Sequence, residues 1–226
     1  MTAAAPPRNK PQPAPQALAI LALAAALTVC GCTFAPQRYS QPEVRTSALQ
    51  PGDLARDGLA ILTPSTVTGQ EEDRQTLALL FTGALTRARP ELRVSQLPEV
   101  LSSVNRAGLA EAYQHLYQGY RLTGVFHREE LARISSITGA RYLGQLKLAR
   151  FDQGARGRFG LFGLSLLQTQ YAHMRVFFQI WDAQSGAVVW EGIDELTVSV
   201  ETSRERAVTL RALAEASAQD LAERLP

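Results

Sequence analysis

Cysteine is almost absent from this chain. Two occur in 226 residues, Cys30 and Cys32 near the start, so the remainder can form no disulfide and offers no thiolate to a metal. Histidine is nearly as scarce: His115, His127 and His173 are far apart and fall on different expected elements, and His127-Arg128-Glu129-Glu130 lacks the spacing of a zinc protease helix. No nucleophile elbow occurs, since Gly163-Leu164-Ser165-Leu166-Leu167 lacks its second glycine. Glycines 154, 157, 160 and 163 recur every three residues, but without the Lys-Ser/Thr of a phosphate loop and between strands rather than before a helix. No metal and no cofactor is therefore expected. Excess charge is missing too: 23 basic residues face 21 acidic ones, which gives no support to a nucleic-acid partner.

One long apolar run stands out, Ala17 to Val29, behind a leader carrying Arg8 and Lys10. Thirteen residues are too few to span a bilayer comfortably and have the length of a secretory signal's apolar region. Val29-Cys30-Gly31-Cys32 follows, with an aliphatic residue at −3, a small one at −1, then cysteine. This resembles the lipobox of bacterial lipoproteins, which implies lipidation of Cys32 and cleavage before it; Cys30 fits less well, because Val29 would take the small position. Residues 1–31 are then a signal peptide. Losing Arg8 and Lys10 leaves 21 basic residues against 21 acidic, on a chain of about 195 residues, enough for one domain with its own core. Thr33 after the lipid site, rather than Asp, implies sorting to the outer membrane.

Residues 32–57 carry three prolines and no apolar period, which predicts a flexible tether. From residue 58 to 226 the pattern predicts a single domain. Gly58–Leu62 reads as a buried strand stopped by Pro64, and Leu77, Leu80, Phe81, Ala84 and Leu85 have helical spacing. A short strand at 92–94 precedes helices marked by Leu97–Val104, Leu109–Tyr120 and Arg128–Thr138, the last closed by Gly139. Three strands follow, at 142–151, 166–181 and 187–200, with Asp182–Gly186 as a turn. A capping box at Thr202–Glu205 starts a closing helix of about 20 residues. The order predicts an α/β two-layer sandwich: a mixed sheet with an antiparallel meander and covering helices.

Thr138-Gly139-Ala140-Arg141-Tyr142-Leu143-Gly144, Val176–Asp182 and Ser185-Gly186-Ala187-Val188-Val189-Trp190 together resemble the amino-terminal domain of TolB and lipoproteins sharing its fold. Those include the curli secretion lipoprotein and the activators of penicillin-binding proteins. The resemblance covers residues 58–225 and speaks for fold; Leu62-Thr63-Pro64 departs from the family's usual Pro-Phe pair. It implies a non-enzymatic module that binds another envelope protein, anchored to the membrane through its lipid. Two alternatives stay open: an oligomeric channel subunit of the curli type, and a peptidoglycan hydrolase using Glu191 and Glu195. Glu191, Asp194 and Glu195 otherwise read as a solvated strand edge.

Gly154 to Gly163 (GARGRFGLFG) reads as a ten-residue connection, longer than a hairpin needs. It sets Arg156 and Arg158 beside Phe159 and Phe162, a composition that suits a partner or an anionic lipid surface. Folding back over one end of the core is the third reading of the same residues.

Overall fold

In a computed structural model of the chain, residues 36–161, 164–202 and 208–226 are described. Cys32, Phe162 and most of the capping box at 202–205 lie outside them, as do the side chains of Arg158 and Phe159. The described elements are β1 (Gln37–Thr46), α1 (Asp53–Asp57), β2 (Leu59–Ile61), β3 (Ser65–Thr66), α2 (Glu71–Ala88), β4 (Val94–Ser95), α3 (Leu97–Arg106), α4 (Ala110–Thr123), α5 (Arg128–Thr138), β5 (Tyr142–Leu161), β6 (Leu164–Asp182), β7 (Ala187–Thr202) and α6 (Leu210–Ala222).

One mixed sheet runs β1-β7-β6-β5-β2-β4, with β3 pairing β5. Strands β1, β7, β6 and β5 are successively antiparallel, whereas β5, β2 and β4 are parallel. Every residue of β2 is buried. Its alternate side chains enter different clusters: Leu59 and Ile61 join Phe81, Leu85, Phe178, Trp190 and Leu221, while Ala60 and Leu62 join Val100, Leu116, Leu131 and Trp181. Successive strand residues face opposite sides of a sheet, so α2 and α6 cover one face and α3, α4 and α5 the other. Helices thus lie on both sides at this end, where two layers were expected.

The expected helices follow their apolar spacing, and their ends follow local chemistry. Gly139 closes α5 with a left-handed φ of 67°, its N–H donating to the Ser135 carbonyl. The Glu99 carboxylate accepts the Gln96 N–H at 3.1 Å across the start of α3. The last helix begins later than expected: β7 continues to Thr202, and Thr209 caps α6 by accepting the Ala212 N–H.

Two departures matter for function. Residues 37–46, expected within a tether, form β1, paired along its full length with β7 from Gln37–Ser199 to Thr46–Trp190. The chain then stays on the body: Ser47, Ala48 and Leu49 donate to the Val189 carbonyl, Leu49 is buried, and α1 follows. The folded unit therefore starts near residue 35 rather than 58. Equally, Gly154 to Leu161 is strand rather than loop, paired with β6 from Gly154–Tyr171 to Leu161–Leu164. β5 ends at Leu161 and β6 begins at Leu164. Glycine is tolerated in β5 because a cross-strand ring takes its place: a Cβ on Gly154 would lie 2.6 Å from the Tyr171 hydroxyl.

Candidate functional site

The strands β5, β6 and β7 run for 20, 19 and 16 residues, far past the helical body. Antiparallel register decides which side chains share the outward face of this arm. Gln41, Glu195, Arg175 and Arg150 form one row across four strands, and Tyr39, Thr197, His173 and Asp152 the next. The His173 Nδ1 lies 3.0 Å from Thr197 Oγ1, and its Nε2 lies 3.4 Å from Glu195 Oε1. Arg175 Nε is 3.8 Å from Glu195 Oε2, and Arg150 pairs with Asp152. The guanidinium of Arg175 and the ammonium of Lys147 both lie over the Phe177 ring, at 5.5 and 5.9 Å. Such a ladder keeps a sheet face wet and discourages misregistered pairing.

The three histidines lie on separate elements. His115 lies on α4, His127 precedes α5 and His173 lies on β6. Among the described residues no three His, Cys, Asp or Glu side chains are placed to hold a metal. Glu191 accepts from Gln179 Nε2 at 2.6 Å, while Glu195 faces His173 and Arg175. A 320 Å³ groove between α2 and α3 is lined by Ala78, Leu79, Leu97, Pro98 and Leu101, with no titratable group among them.

Asp194 was expected on a solvated edge and is instead fully buried. It has the parity of Trp190, Gly192 and Leu196, so it points inward beneath α6. Burial lifts its pKa above its ordinary value, opposed by the Ser217 and Ser40 hydroxyls nearby. Ser40 on β1 makes the link: its Oγ lies 3.0 Å from Asp194 Oδ1 and 2.6 Å from Asp220 Oδ2. Asp220 on α6 in turn pairs with Arg38. A hydroxyl has one proton to give. The Ser40 hydroxyl thus stands within donating distance of both carboxyl groups and is shared between them. Edge strand, inner strand and last helix are thereby fastened by one polar chain. Its only signal in the sequence is an acidic residue in the apolar phase of β7.

The arm has two open edges among the described residues. On one side β1 has no further strand, and its burial pattern is almost wholly exposed. It carries charge and a proline, in Arg38, Pro42, Glu43 and Arg45, which blunt an edge. On the other side β3 pairs only Lys147 and Leu148 of β5, leaving β5 open from Arg150 outward. That stretch holds Gly154, Gly157 and Gly160, and Ala155, Arg156 and Gly157 are exposed. Arg156, singled out from the sequence, stacks its guanidinium 5.4 Å over Tyr171. Arg158 and Phe159 follow on the same strand, while Cys32 and Phe162 fall outside the described residues.

No protein-family model matches the sequence, and no curated protein matches it. Among solved structures, the chain is similar to the PelC dodecamer from Paraburkholderia phytofirmans, at 14% identity over 81% of this chain and 94% of that chain, TM-score 0.43. It is also similar to a lipoprotein from Neisseria meningitidis, at 11% identity over 73% and 97%, TM-score 0.34. A third is the LpoB C-terminal domain from Salmonella enterica, at 13% identity over 65% and 82%, TM-score 0.31.

Proposed function

We propose that this chain is an envelope lipoprotein, lipidated at Cys32 on the periplasmic face of the outer membrane, that acts without catalysis by binding another envelope protein. The supporting observation is the β5 edge. Twelve residues, Arg150 to Leu161, have no strand among the described residues on the edge away from β6, on a segment rich in glycine. An extended segment of a partner adds to such an edge through main-chain hydrogen bonds, and pockets between alternate side chains select it. The β1 edge is the poorer template, because Pro42 cannot donate and charges flank it. Among the described residues no helix is long and apolar enough to cross a membrane.

Position-specific photocrosslinking in cells tests it. A crosslinker at Gln153, exposed on the open edge of β5, is expected to trap a discrete envelope protein. The same probe at Glu111, exposed on α4, is expected to trap none. Equal adducts at both positions, or none at Gln153, would reject the edge as the binding surface.

A further inference from the structure

The chain changes its direction of winding at β2. This strand is parallel to both of its neighbours, β4 and β5. From β2 the chain passes through α2 to β4 on one side, and from β4 through α3, α4 and α5 to β5 on the other. The first connection covers one face of the sheet and the second covers the opposite face. Connections that part in this way leave a crevice beyond the carboxyl ends of the strands, where open α/β sheets bind their ligands.

A cleft of about 610 Å³ occupies that position. Residues 65–67, which follow β2, line it together with 120–124 at the end of α4 and 147–149 of β5. Its volume falls within the roughly 300–1,000 Å³ of small-molecule sites. Strand β5 is irregular at this point: its pairing with β6 shifts between Leu148 and Arg150, which leaves Ala149 as a bulge. A bulge bends its strand and re-aims the side chains beside it, and bulges are over-represented next to active sites.

The lining carries charge of one sign. Arg121 and Lys147 are both exposed, and no Asp or Glu lies among the lining residues. Both cations rest against aromatic rings, Arg121 over Tyr117 and Lys147 over Phe177, each at 5.9 Å. Among the described residues neither takes part in an ion pair. The carboxylates nearby are engaged elsewhere: Glu191 accepts from Gln179, and Glu71 pairs with Arg74. Two cations facing a concave surface without counter-charge favour an anion there.

The uncharged lining narrows the ligand further. Tyr120 and Thr123 have committed their protons, to Gln179 Oε1 at 3.1 Å and to the Gly119 carbonyl at 2.7 Å. Ser65 has not: its Oγ is buried and has no hydrogen-bond partner among the described residues. A buried hydroxyl without a partner is unfavourable, and a ligand oxygen beside it relieves that cost. Val67 and Leu122, both exposed, add apolar surface for the C–H face of a ring. One oxyanion, several hydroxyls and a C–H face describe a sugar that carries a negative charge.

We propose that this cleft binds an anionic sugar of hexose size, its phosphate or carboxylate held by Arg121 and Lys147 and a hydroxyl by Ser65. The site depends on neither the lipid anchor nor the open edge of β5. Saturation-transfer difference NMR on the full-length protein in detergent compares glucose 6-phosphate, glucuronate and glucose. Transfer to one or both anionic sugars is expected, with little to glucose; the better of the two tells phosphate from carboxylate. Lys147→Ala and Arg121→Ala should each weaken that binding about tenfold or more, because each removes a charge-assisted hydrogen bond. Arg106→Ala removes an exposed cation of α3 outside the cleft and should leave binding unchanged. All three side chains are exposed, so unchanged thermal melting is expected of each variant. Transfer to neither anion, equal transfer to glucose, or binding that survives in the Arg121→Ala, Lys147→Ala double variant would overturn the assignment.

Discussion

Ser40→Ala tests whether the segment behind the lipid site is structure or tether. The substitution leaves the strand backbone alone and removes one hydroxyl, whose oxygen stands between Asp194 and Asp220. Hydrogen bonds involving ionised groups contribute about 1.5–3 kcal/mol, and a buried carboxyl stripped of a partner adds its own desolvation cost. Asp194 is fully buried, so water does not replace what is lost. We expect about 2 kcal/mol of destabilisation, which for a folded unit of this size is roughly 4–8 °C in Tm. The loss should be uneven in space. Amides of Gln37–Thr46 should exchange hydrogen much faster in the variant, while those of β2 and α5 change only with the global stability. An unchanged Tm, with residues 37–46 already exchanging at unprotected rates in the parent protein, would refute the argument and restore a flexible tether.

Two aspartates should respond to pH with opposite sign. The pKa of Asp194 is raised above 3.8 by burial, so the folded state binds the proton more tightly and stability falls as pH rises through the folded value. Asp194→Asn removes that titration, and its Tm relative to the parent should climb as the pH is raised above about 4; a flat difference would refute the buried acid. Asp182 accepts Arg141 Nε and Nη2 at 3.0 Å each, and its pKa is held below 3.8 chiefly by that guanidinium. Its contribution is present above the unfolded value and lost as pH falls through the folded one. Asp182→Asn should therefore cost about 1.5–3 kcal/mol at pH 7 and progressively less below about pH 4, read from denaturant melts. Gly192→Ala should destabilise by roughly 1–3 kcal/mol, because a Cβ there collides with the Trp190 ring and lies 2.8 Å from Leu221 Cδ2; a neutral result in thermal melting would show that the Trp190 ring shifts at little cost. Zymography on peptidoglycan should show no clearing by the purified protein, and clearing would overturn the non-catalytic proposal.

The parts of the fold that bury one clear face were legible in the sequence. Ala172, Met174, Val176, Phe178 and Ile180 alternate along β6 and are all buried, and Leu77, Phe81 and Leu85 mark the buried face of α2. Asp182–Gly186 turns the chain as its composition requires, with Gly186 at φ 75°. What was missed lacks that signal for physical reasons. β1 is held by backbone pairing at an exposed edge, so no apolar period reveals it, and Pro42 argues against it. The glycines of β5 look like loop chemistry until Tyr171, seventeen residues away, is seen filling the space at Gly154. Asp194 looks like its acidic neighbours until Ser40, far off in the chain, supplies its partner. The second helical layer depends on β2 being covered on both faces, which a three-residue run cannot announce. For the candidate site, Arg156 was visible by composition, but the open edge beside it is a property of pairing and appears only with the register.

The account depends most on where the lipid is attached, because the proposed function rests on an anchor at Cys32. Metabolic labelling with a clickable fatty acid, followed by membrane fractionation, measures this for the parent, Cys30→Ala and Cys32→Ala. The expected result is label in the parent and in Cys30→Ala, recovered with the outer membrane, and none in Cys32→Ala, which remains as precursor or soluble protein. Label retained in Cys32→Ala, or recovery of the labelled parent in the inner membrane, would contradict the account.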